Sequence, residues 1–171
     1  LGGGGGGIFQ GDNILDLYKS RKMIEKTLFS PTDTGKLSKQ PLLDRYLEAN
    51  GVREGWKDKP ELKDLRFTVG GKIIDKKQQR LRDSIIGVVV ENISKLNLTV
   101  IKPDKKLSKI QVDVKSIDEL FSKRFNEELV KNVNDFYVQT KTRKSLDNVA
   151  ILQHKTDSVR AVMNGAIYSA V

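Results

Sequence analysis

The side chains able to do chemistry are few and scattered. His154 is the only histidine among 171 residues, and there is no cysteine. A catalytic triad or a histidine-led metal site would have to rest on His154. It stands between Gln153 and Lys155 in a polar stretch, where a solvated helix position is expected. Without cysteine there is no thiol nucleophile, disulfide, Cys-ligated zinc or iron–sulfur cluster. Carboxylates are paired at Asp118-Glu119 and Glu127-Glu128. Adjacent helix positions point about 100° apart, so neither pair converges on one point as general acid–base work requires. Helix-cap and surface roles fit these pairs better. The segment Ser30-Pro-Thr-Asp-Thr-Gly-Lys36 ends like a phosphate-binding loop, but Ser30 stands where glycine is needed and Leu37 where Ser or Thr is needed. Asn92-Ile-Ser94 and Asn97-Leu-Thr99 match the glycosylation tripeptide, which is common by chance. The chain holds no G-x-S-x-G, H-E-x-x-H, complete Walker motif or dinucleotide fingerprint. The sequence therefore assigns no catalytic, cofactor-binding or metal-ligating residue, and the expectation is a protein that is not an enzyme.

The totals point the same way. Hydrophobic residues make up 37%, enough for a core, while charged residues reach 31% and aromatics only 6%. That balance suits extended helices better than an aromatic-rich enzyme. The net charge of +9 suits nucleic acid, an anionic membrane surface or acidic glycan, or a basic surface with no specific partner. The lysines and arginines are spread along the chain and not gathered beside aromatics, which argues against a base-stacking platform. The alternative to a scaffold is a basic nucleic-acid-binding module with a coiled-coil arm, whose binding would fall steeply with salt. No stretch approaches the roughly 18 apolar residues that span a bilayer. The glycine run at the start and the lack of a helix stop at the end suggest a piece cut from a longer protein.

These residues must be held by a small α+β base and a long C-terminal helix. Residues 1–11, with Gly2–Gly7, read as a flexible linker. Asp12 can cap a helix running to about Phe29, with Ile14, Leu17, Tyr18, Ile24 and Leu28 on its apolar face and Pro31 stopping it. Leu42–Ala49 reads as a short amphipathic helix ended by Asn50-Gly51, with Leu43, Tyr46 and Leu47 buried. Trp56, the only tryptophan, is expected as a core anchor. Leu65–Val69 alternates like a short strand. Gln78 to about Leu96 reads as a helix with Leu81, Ile85, Val88, Val89, Ile93 and Leu96 on one side, and a strand is the runner-up over the run Ile85–Val90, which is rich in β-branched residues. Leu98–Lys102 and Ser108–Val114 alternate apolar and polar around Pro103-Asp-Lys-Lys106, which predicts an antiparallel hairpin packed on the helices. Ser116-Ile-Asp-Glu119 then reads as a capping box. Ile117, Leu120, Phe121, Phe125, Leu129, Val133 and Phe136 follow at nearly helical period. Base residues 12–138 would pass into a continuation over 139–171, as one helix or as two broken near Gln139–Ser145.

That order resembles the ectodomain of Wzz-type polysaccharide chain-length determinants, also called polysaccharide co-polymerases, and is closest to Bacteroides-like versions. Asp12–Arg21 with Met23-Ile-Glu25 resembles the family's first ectodomain helix, and Asp83-Ser-Ile-Ile86 its following helix. Val100–Ser108 with Ile110 and Val112 resembles its hairpin, and Ser116–Tyr137 the entry to its long helix, continued by Gln139–Ser169. The resemblance implies a periplasmic domain between two inner-membrane helices of a Gram-negative cell, with protomers side by side in a ring. It implies a homo-oligomer with no catalysis and no cofactor, working with a polysaccharide polymerase and the growing glycan to set chain length of an O-antigen, capsule or similar polymer. It implies no nucleic-acid partner, and membrane contact only through segments absent from this chain. The family's two membrane helices, the returning half of its helical hairpin and its proline-rich segment have no counterpart here.

Overall fold

The computed structural model describes residues 12–32, 40–63, 65–67, 75–104 and 109–168. They form an α+β chain. Helices α1 (Asp12–Lys19), α2 (Arg21–Leu28) and α3 (Leu42–Ala49) come first, then a 3-10 turn at Glu54–Trp56 and helix α4 (Pro60–Lys63). Helix α5 (Lys76–Asn92) runs into a π-helical turn at Ile93–Asn97. Strands β1 (Leu98–Ile101) and β2 (Gln111–Val114) follow, and helix α6 (Glu119–Tyr168) closes the chain. Two units are distinguished, one ending at Val133 and the other starting at Asn134. Helix α6 contributes residues to both.

The single helix expected from Asp12 to Phe29 is two. Ser20 has extended backbone, and its hydroxyl accepts from the Met23 amide at 3.3 Å while donating to the Leu17 carbonyl at 2.7 Å. A serine can satisfy backbone groups locally, so it ends one helix and caps the next where the apolar period alone predicts continuity. Tyr18, Met23, Ile24 and Leu28 are buried on the two helices. Helix α3 has the expected bounds, and Leu42, Leu43, Tyr46 and Leu47 are buried. Gly51 follows with φ +68, the left-handed conformation that a glycine adopts without a Cβ clash.

Helix α5 is a helix and not the alternative strand. Its buried positions are Ile86, Val89, Val90 and then Ile93, a face rotated from the expected one. Val88 and Leu96, expected inside, are 57% and 77% exposed. Residues 65–67 are not in a strand, because the Phe67 amide is taken by the Asp44 side chain. Positions 68 and 69 of that expected strand lie outside the described residues, as do the linker 1–11, the loop 33–39 and turn residues 105–108.

The hairpin pairs Leu98 with Val114 and Val100 with Val112, antiparallel as expected. Leu98 and Val100 are buried and Thr99 and Ile101 exposed, so β1 has one core face and one wet face. The Asn97 side-chain amide donates to the Lys115 carbonyl at 2.6 Å, and the Lys115 amide donates to the Asn97 carbonyl at 2.9 Å.

Helix α6 starts at Glu119, and its cap is Asp118, whose carboxylate accepts from the Phe121 amide at 3.0 Å. Ser116, the cap expected from the sequence, accepts instead from the Asp118 amide at 3.3 Å. The carboxylate wins because it also pairs with Arg45. Phe121, Phe125, Leu129 and Val133 are buried, while Ile117 and Leu120 are exposed. No break occurs near residues 139–145. Leu129 is wholly enclosed, and Leu129→Ala is expected to lower unfolding free energy by about 2–5 kcal/mol. A urea titration followed by far-UV circular dichroism checks this.

Candidate functional site

Of the carboxylates singled out in the sequence, Asp118, Glu127 and Glu128 are held in ion pairs or a cap. Asp118 accepts from Arg45 Nη2 at 3.0 Å, and Arg45 Nε lies 2.8 Å from its second oxygen. Burial alone would push the Asp118 carboxyl up. The Arg45 hydrogen bond, the Phe121 amide and the Arg45 charge overcome it and hold the carboxyl below its ordinary value. Glu127 and Glu128 both turn to Arg124, at 2.8 and 3.4 Å. Contrary to the expectation that neither pair converges, Glu127 and Glu128 thus share one guanidinium. His154 is exposed on α6. Trp56 is buried as expected, with the Arg53 guanidinium 5.7 Å from its ring centroid. Among the described residues no group of three or more His, Cys, Asp and Glu could hold a metal ion.

The sequence did not point to the buried polar cluster around Asp44. This residue is 4% exposed and pairs with Arg53, which also lies 3.7 Å from Glu48. Arg53 Nη1 donates to the Leu65 carbonyl at 2.9 Å, and the Phe67 amide donates to Asp44 at 3.3 Å. One ion pair thus fixes the connector 65–67 against α3. Burial pushes the Asp44 carboxyl above its usual range, offset in part by Arg53 and the Phe67 amide. The available signal was a carboxylate in the middle of the apolar face Leu42, Leu43, Tyr46 and Leu47. A second missed pair joins α2 to α6: Asn132 Nδ2 donates to Thr27 Oγ1 at 3.1 Å, both buried.

The surfaces of the described residues include an uncharged groove and an exposed apolar helix face. Helices α3 and α5 border a groove of about 320 Å³ with Leu47, Trp56 and Val89 buried in it and Asn50, Ser84 and Asn92 at its exposed edge. None of its lining residues is charged. The other surface belongs to the second unit alone. Every residue from Lys141 to Asn164 is exposed, including Val149, Leu152, Val159 and Met163. The apolar spacing read from the sequence ended at Phe136, short of this face. Exposed apolar side chains in a row are a surface suited to contact with another molecule.

No family model, curated protein or solved structure matches this chain. No helix of the described residues is long and apolar enough to cross a membrane.

Removing the carboxylate of Asp44 leaves the largely buried Arg53 charge with only the half-exposed Glu48 carboxylate, 3.7 Å away, so Asp44→Ala is expected to cost about 3–5 kcal/mol in urea unfolding. Trp56 beside Arg53 is the only tryptophan, so its folded-state emission should shift as well. An unchanged midpoint and spectrum would disprove the structural role of the pair. Asp118 gives a pH signature. Its folded-state pKa lies below the ordinary value, so its contribution to stability is present above about pH 4 and is lost as pH falls further. Asp118→Asn should therefore flatten the acid limb of the stability profile, measured by urea titrations between pH 2 and pH 5.

Proposed function

We propose that the chain is the periplasmic part of a membrane-anchored polysaccharide co-polymerase. It acts as a non-catalytic, oligomeric scaffold, working beside a polymerase at the inner membrane of a Gram-negative cell. Its output is the number of repeat units in a surface polysaccharide such as an O-antigen or capsule. The observation that carries this reading is the succession of elements after α5. A two-stranded hairpin clasped by Asn97 and Lys115 leads through Asp118 into one uninterrupted 50-residue helix. The same order underlies the resemblance to Wzz-type chain-length determinants. In this reading the membrane anchors belong to sequence outside this chain. A scaffold role is further supported by how the carboxylates are used: Asp44, Asp118, Glu127 and Glu128 each face an arginine.

The test is made in the cell of origin with the intact gene. Deleting the region that encodes this chain should broaden the length distribution of a surface polysaccharide on a gel. Restoring it should return the original modal length. A distribution indifferent to both changes would remove the proposal.

A further inference from the structure

Beyond Phe136 the spacing along α6 changes, in two series of apolar residues interspersed with Ser145, Thr142 and Thr156. Val138, Ser145, Leu152 and Val159 recur every seven residues, and Thr142, Val149, Thr156 and Met163 form a second such series between them. Steps of four and three alternate, which is the seam of a two-stranded coiled coil. Its apolar members are about 60% exposed: Val138 59%, Val149 61%, Leu152 62%, Val159 60% and Met163 60%. Leu146 and Val162, also exposed, widen the seam on either edge. The Thr156 hydroxyl donates to the Leu152 carbonyl of its own helix at 2.9 Å, so covering Thr156 would not orphan its donor. A row of this size needs a cover.

The edges say what kind. In a coiled coil the positions flanking the seam select the partner by charge. Here those positions are 139, 141, 146, 148, 153, 155, 160 and 162, and they hold Lys141, Lys155 and Arg160 with no acid. A second copy is a poor cover. Parallel pairing sets Lys155 of one chain against Arg160 of the other. Antiparallel pairing sets each edge against its like, basic against basic or neutral. No register offers an attractive pair. We propose that this face takes an amphipathic helix of a different protein whose own edge positions carry Asp and Glu, and that it does not take a second copy of itself. The inference rests on the scaffold reading above and names the chemistry of one partner. Copies of the chain remain free to associate through other surfaces.

The probes are two synthetic helical peptides of four heptads with one Val/Leu seam, one with Glu and one with Lys at the edge positions. Each is titrated onto the whole chain, and binding is read by calorimetry. The Glu peptide should bind at least about tenfold more tightly at low salt, and the preference should shrink as salt screens the edges. The combined variant Lys141→Glu, Lys155→Glu, Arg160→Glu should reverse the preference while leaving the helix signal in circular dichroism intact. Light scattering supplies the second arm: Leu152→Asp should abolish peptide binding and leave the mass of the chain in solution unchanged. Equal binding of the two peptides, binding of neither, or a mass that falls with Leu152→Asp would each overturn the proposal. The polysaccharide length readout is independent of all three, so a failure of either proposal is recognised apart from the other.

Discussion

The first unit is built around a mismatch between two numbers. Phe121, Phe125, Leu129 and Val133 recur every four residues, and an α-helix turns once in 3.6. Each step therefore advances the buried face by about 40°, and the stripe sweeps about 120° of the helix between Phe121 and Val133. All four side chains are nevertheless enclosed. One flat partner could not do that, so the surrounding elements wrap the helix. Tyr46 of α3 meets Phe121 with ring centroids 5.2 Å apart. The Val112 carbonyl of β2 accepts from Asn126 at 3.2 Å. Thr27 of α2 takes Asn132. The order of those contacts along α6 is the order in which the stripe comes round.

Wrapping places polar groups where water is scarce, and Thr27, Asp44 and Asp118 find partners there, while the Nε atoms of Arg45, Arg53 and Arg124 are buried without a hydrogen bond. Thr27 donates to the Met23 carbonyl at 2.8 Å while accepting from Asn132. Asp44 spends its oxygens on Arg53 and the Phe67 amide. Asp118 serves a helix terminus and Arg45 at once. An unpaired polar group at such sites costs more than the bond itself contributes, so these pairs specify how the elements assemble as much as how strongly.

What could be read from the sequence follows from which forces act locally. Helix α3, the hairpin and the long helix were legible because period, turn residues and caps agree over short spans. The break at Ser20 was not, because a hydroxyl's choice between solvent and backbone leaves no periodic trace. The face of α5 was misjudged because every residue of Ile85–Val90 except Gly87 is β-branched, so hydrophobicity alone fixes no direction. The loss of a strand at 65–67 and the clamp at Asp44 share a cause: a contact between residues 23 apart that no local pattern encodes. The cap moved from Ser116 to Asp118 for the same reason, since Arg45 lies 73 residues away from Asp118. Of the candidate surface, the seam beyond Val138 was present in the sequence. It became visible as a surface only once those positions were found uncovered.

The clasp at the base of the hairpin bears on how the protein can be produced. Asn97 heads a tripeptide that a eukaryotic secretory host would treat as an acceptor, and the nitrogen such a host modifies is the one already donating to Lys115. Sugar could be added there only before the two strands close, and it would then compete with their closure. Material secreted from yeast or animal cells would therefore carry a folding handicap that bacterial material lacks, and the remedy is a host without that transferase and not a change to Asn97 itself.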